Sequence, residues 1–172
     1  MKQLFSFSTA VCLALSFGAL ITTAQAQTQS STKGVNTMNR TIQHADISLA
    51  QAQKLVQFGI EQAQAQSVNV VIAIVDRSGH LLHLSRMDEA GLVSIDVAIG
   101  KARTAAYLKE PSKKFEDFIS NGSNSILATP NILPLQGGIP LVIDGQIVGA
   151  VGVSGAAGET DNAIAQAIAD TL

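Results

Sequence analysis

Two apolar runs joined by Asp144-Gly145 constrain this chain more than any other feature. Ile139-Pro140-Leu141-Val142-Ile143 precedes the pair, and Gln146-Ile147-Val148-Gly149-Ala150-Val151-Gly152-Val153 follows it. Asp-Gly between β-rich runs favours a two-residue hairpin turn, because both central residues need positive φ. A second hairpin is written upstream. Val70-Val71-Ile72-Ala73-Ile74-Val75 is closed by Asp76-Arg77-Ser78-Gly79 and resumes as His80-Leu81-Leu82-His83-Leu84. The first of these runs is apolar on both faces, which places it centrally in a sheet.

Helical periods fill the intervals. Ser48 with Gln51 forms a capping-box pattern, and Leu49, Ala52, Val56, Ile60 and Ala63 recur at helical spacing to about Gln66. Ser94 can cap a second helix from Ile95 to about Leu108, with Ala98, Ala102, Ala105 and Ala106 as a stripe that permits close backbone approach. Pro111-Ser112 starts a short helix through Ile119, and Asn121-Gly122-Ser123-Asn124 breaks it. A Gly-rich loop from Ser154 to Gly158 leads, through Thr160 as an expected N-cap, into a last helix carrying Ile164, Ala167 and Ile168. The order α-β-β-α-α-β-β-α, without βαβ alternation, predicts an α+β fold on a mostly antiparallel sheet.

The first 26 residues read as an export signal: Lys2, an uncharged apolar stretch from Leu4 to Ile21, and the small-x-small site Ala24-Gln25-Ala26. Residues 27–46 are polar, without an apolar period, and read as a flexible leader. The folded domain is expected over 47–172, and the protein is expected in a bacterial periplasm or secreted. Cleavage would remove one of 11 basic residues and leave 10 against 13 acidic ones. That acidic balance argues against a nucleic-acid partner, and no run of like charge suggests membrane-surface binding after cleavage. Cys12, the single cysteine, falls inside the signal, so the mature chain has no disulfide and no thiolate ligand.

Four segments in order resemble the GlcG/HbpS family, which includes haem-binding proteins and a PduO C-terminal-like domain. They are Val75 to Leu81, Arg86-Met87-Asp88, Lys101 to Ala105, and the block from Gly137 to Gly155. The resemblance covers about Ile47 to Leu172. It implies profilin-like α/β/α layers around a five-stranded, mostly antiparallel sheet, a homo-oligomer, and haem binding. For exported members it implies haem capture or degradation.

Haem iron takes an imidazole, thiolate, thioether or phenolate. Without a cysteine the candidates are His44, His80, His83, Tyr107, Met38 and Met87, and we select His44 and His83 as iron ligands with Tyr107 nearby. Strand alternation would turn His83 the same way as Leu81 and away from Leu82 and Leu84. Arg86 and Lys101 match the resembling segments and could hold a haem propionate, or could form ion pairs with Asp88. The leading reading is an exported protein that captures or buffers haem and assists its degradation. The alternative is an enzyme or sensor that holds a small hydroxy acid through Arg86 and Lys101. No catalytic residue is assigned, and the residues favour a binding protein. Gly152-x-x-Gly155-x-x-Gly158 lacks the phosphate-loop ending, and Glu159 and Asp161 are expected to repel an anion there.

Overall fold

The computed structural model describes residues 42–172. The expected signal, and the expected leader up to residue 41, lie outside the described residues. Helix α1 (Leu49–Ala65) is followed by strands β1 (Val71–Asp76) and β2 (Leu81–Arg86), then helices α2 (Val93–Leu108) and α3 (Lys113–Ser120). After a 3-10 turn (Asn124–Ala128) come β3 (Gly138–Ile143), β4 (Gln146–Ser154) and α4 (Gly158–Ala169). The sheet order is β2-β1-β4-β3, and every neighbouring pair is antiparallel.

The hairpin at Asp144-Gly145 forms as its composition requires, with φ of 49° and 74° at the two turn residues. Ser48 caps α1 by accepting the Gln51 N–H at 3.2 Å. Three local expectations are corrected. Helix α2 starts at Val93, because the Ser94 N–H already donates to the Gly91 carbonyl, and Ser94 is buried without capping. Helix α4 starts at Gly158 after Ala157, so Thr160 lies inside its first turn. The described residues contain four strands, not five. Residues 129–136, with Pro130 and Pro134, run without ladder bonds and are held by side chains instead. The Leu133 N–H donates to Thr104 Oγ1 at 2.7 Å, and the Ser112 hydroxyl donates to the Leu135 carbonyl at 2.6 Å.

The two sheet faces differ in residue size, and this sets the layers. Ile72, Ile74, Ile139, Leu141, Val151 and Val153 pack with α1 and α4. The opposite face offers Ala73, Val75, Ala150 and Gly152 to the alanine stripe of α2. A Cβ on Gly152 would collide with the Ala98 carbonyl oxygen and the Ala102 N–H, and one on Gly138 with the Lys101 carbonyl. Large residues on one side and almost none on the other give α/β/α layering with α2 seated close on the sheet. A bulge adjusts β2: Ile74 pairs with His83 but Val75 with Leu81, which leaves Leu82 extra. Cross-strand partners share a face, so the bulge places His83 with Ile74 and Leu81 with Val75, on opposite faces. Simple alternation had put them together.

The close seating predicts the effect of a single methyl. Gly152→Ala should cost about 1–3 kcal/mol by overpacking, read as a lower urea midpoint, whereas Gly145→Asn at the open turn should cost little. Equal stability of Gly152→Ala and the parent would contradict the seating.

Candidate functional site

Antiparallel register brings both hairpin tips to one end of the sheet. Asp76 at the end of β1 pairs with Gly149 near the start of β4, so Arg77-Ser78-Gly79 lies beside Asp144-Gly145. The Asp76 carboxylate shapes the first tip by accepting the Ser78 and His80 N–H groups at 2.8 and 2.9 Å. The C-terminal end of α2 reaches the same place. The Tyr107 ring covers Gly79 so closely that a Cβ there would strike it, and Arg103 Nε donates to the Gly79 carbonyl at 3.3 Å. Helix α2 ends on Lys109 in the left-handed conformation, with φ of 57°.

The segment before α1 closes a cleft of about 460 Å³ at this end. The Ile47 N–H donates to the Val148 carbonyl at 2.9 Å, and Asp46 Oδ1 accepts the Arg77 backbone N–H at 3.3 Å. His44, Arg77 and Lys109 line the cleft as polar groups, and Ile42, Ala106 and Ile147 as apolar wall. Its volume falls within the range of small-molecule sites. Arg77 Nε is buried and lies 3.4 Å from Asp46 Oδ1, yet it completes no hydrogen bond among the described residues. The side chain is 36% exposed, so the guanidinium, though ion-paired with Asp46, stays open to a ligand carboxylate.

The other sequence-selected residues are distributed elsewhere. Tyr107 sits one position from Ala106 at the rim, with its ring on Gly79. His83 is half-buried on β2 and is not among the residues that line this cleft. His80 is exposed, with Nδ1 3.5 Å from Asp76 Oδ2. Arg86 lies at the far end of the sheet, exposed, in a cleft with Asp88, Ile60 and Gln64. Lys101 does not pair with Asp88. Its Nζ, on a side chain only 4% exposed, donates to Asp161 Oδ2 and to the Val153 carbonyl, each at 2.9 Å. Arg86 and Lys101 therefore line separate clefts and form no joint anion clamp. Arg77 and Lys109 were missed in the sequence. Arg77 lay inside a resembling segment but read as a turn residue, and nothing local announces that the end of α2 meets that turn. Among the described residues no three His, Cys, Asp or Glu side chains are placed to hold a metal ion, and no helix is long and apolar enough to cross a membrane.

An antiparallel sheet between two helical layers, with an imidazole and two cations around one open cleft, defines an α+β domain of three layers. Comparison with known proteins gives the family. Residues 47–170 match the model of the haem degrading protein HbpS-like family, and the chain belongs to this GlcG/HbpS family. It is 42% identical over 108 residues to Protein GlcG of Escherichia coli K12, covering 63% of this chain and 81% of that one. Among solved structures it is similar to a PduOC:haem complex, with 32% identity and a TM-score of 0.68 over 74% of this chain and 96% of that one. It is also similar to a double mutant of Streptomyces reticuli HbpS, with 32% identity and a TM-score of 0.71 over 78% of this chain and 92% of that one.

The buried Lys101–Asp161 pair yields a stability prediction. Lys101→Met strands a buried carboxylate and should cost about 3–5 kcal/mol in urea unfolding, much of it recovered when Asp161→Leu is added. A loss below about 1 kcal/mol for the single variant would contradict the pair's burial.

Proposed function

We propose that this protein is an exported haem-binding protein that captures or buffers haem and assists its degradation. Residues 1–26 act as the signal and 47–172 as the haem-binding domain. One observation carries the reading: the hairpin-tip cleft combines an accessible imidazole, His44, with the part-exposed guanidinium of Arg77. The donor set fits haem. His44 is an iron ligand of the required type, and Arg77 and Lys109 suit the two propionates. Ile42, Ala106 and Ile147 supply apolar contact for the macrocycle, with Tyr107 at the rim. Family membership and likeness to a haem complex support the same ligand.

When bound, haem would supply the redox chemistry of its iron. The chain's own residues bind and orient it. Asp46 holds the Arg77 guanidinium in the cleft, and the Ile47–Val148 bond keeps His44 beside it. The cleft is open on one side, and Tyr107 beside it is exposed. A homo-oligomer covers such surface and completes a pocket that one chain leaves shallow. The alternative reading, a hydroxy acid held between Arg86 and Lys101, has no support in their placement, because the two line different clefts.

A hemin titration followed at the Soret band tests the proposal. The protein should saturate at a fixed ratio per chain. His44→Ala should shift the band and weaken binding about tenfold or more, and Arg77→Gln should weaken it about five- to tenfold without moving the band. His83→Ala should leave both unchanged. A broad response without saturation would overturn the haem reading, and a spectrum altered by His83→Ala but not by His44→Ala would move the site to β2.

A further inference from the structure

A second cleft, of about 320 Å³, lies toward the other end of the sheet, between α2 and the start of α4. Its polar groups divide into a donor pole and an acceptor pole. Helix α4 provides part of the first. It spans 12 residues and begins after Ala157, which offers no side-chain cap. The N–H groups of Gly158, Glu159 and Thr160 have no acceptor among the described residues, and Gly158 lines the cleft. Such an end carries partial positive charge. Ser154 provides an independent mark. It is 6% exposed and lines the cleft, and its register with Val71 puts it on the face toward α2. Its hydroxyl has no hydrogen-bond partner among the described residues and is not sealed from solvent, so it is open to a ligand in the cleft. Lys101 lies at the same pole with three N–H donors, two of them used.

The sequence expectation set Glu159 and Asp161 against an anion here; Glu159 is exposed and does not line the cleft, and Asp161 does not spoil the pole. Its Oδ2 is neutralised by Lys101 and its Oδ1 accepts the Ala156 N–H at 3.0 Å. The acceptor pole is Glu116. One carboxylate oxygen accepts the Gln136 N–H at 2.9 Å, and the other has no partner among the described residues. Among the described residues no cation forms an ion pair with Glu116. Lys113, its neighbour on α3, is committed to Asp117 at 2.7 and 3.0 Å, a hydrogen bond that holds its ammonium above the ordinary lysine value. The Gln136 backbone bond and its side chain over Gly158 tie the two poles together.

The charge count selects the ligand. A simple carboxylate would satisfy Ser154 and the α4 N–H groups but would face the unpaired Glu116. A simple amine would satisfy Glu116 and leave the donors orphaned. We infer that this cleft binds a small zwitterion, an α-amino acid with a short side chain, its carboxylate on Ser154 and the α4 N-terminus and its ammonium on Glu116. Val97, Leu135 and Ala156 form the apolar wall that receives a short aliphatic group. The site is separate from the haem cleft and does not depend on it.

Calorimetric titration of the purified protein with L-alanine tests this, with propionate and ethylamine as probes that each lack one pole. L-Alanine should bind saturably at one per chain, and each partial probe should bind at least about tenfold more weakly. Glu116→Gln keeps an acceptor for the Gln136 N–H while removing the charge, and Ser154→Ala removes only a hydroxyl. Each should weaken L-alanine about tenfold or more with the unfolding temperature retained. The inference is overturned by no saturable heat with L-alanine to about 10 mM, by propionate or ethylamine binding as tightly, or by unaltered affinity in both variants.

Discussion

The close seating of α2 on a face of small side chains organises the rest of the molecule. Ala98, Ala102 and Ala105 are fully buried against Ala73, Ala150 and Gly152, and the backbone at Gly138 and Gly152 approaches α2 until no Cβ would fit. That approach gives up the large apolar contacts that the other face makes with α1 and α4. In return it fixes helix and sheet with little side-chain freedom between them. The tight fit puts Lys101 Nζ within 2.9 Å of both the Val153 carbonyl and Asp161, which ties α2 to the end of β4 and the start of α4. Desolvating two charges is costly unless each is paired and hydrogen-bonded, and here both are.

The same placement delivers function to the ends of the sheet. At the hairpin tips, the last turn of α2 meets two turns and the segment before α1, so Arg77, Lys109 and His44 converge although far apart in sequence. Toward the far end, the loop after β4 can turn at once into α4 because Gly155, with φ of 145°, accepts a conformation other residues resist. Neither cleft lies within the dense core.

Much of the architecture was legible in sequence because it rests on local chemistry. Asp144-Gly145 demands its turn, Ser48 its cap, and the alanine stripe its close contact. The errors came where tertiary contacts outvote local pattern. Thr160 looked like a cap, but the loop closes on Asp161 and the helix starts earlier. Leu81 and His83 looked co-facial until the extra Leu82 rotated them apart. A fifth strand, drawn from resemblance and not from any residue run, has no counterpart among the described residues. The candidate site was half legible. His44 and Tyr107 come to the tip end, whereas Arg86 lies at the far end and Lys101 is locked in an ion pair. Selecting cations by motif found residues that hold the fold as readily as residues that could hold a ligand, since both occupy the matched segments. Arg77 could be separated from them only once the partners of each charge were known.

The central claim is that haem binds at the hairpin tips, between the segment before α1 and the end of α2. Ferric haem is paramagnetic and broadens nearby amide resonances, so a heteronuclear NMR map with substoichiometric hemin locates it directly. The account predicts loss of signal for residues 42–47, 77–80, 103–109 and 144–147, with Arg86–Asp88 and Ser154–Asp161 retained. Broadening centred on β2 around His83 and Arg86, with the hairpin tips unaffected, would contradict it.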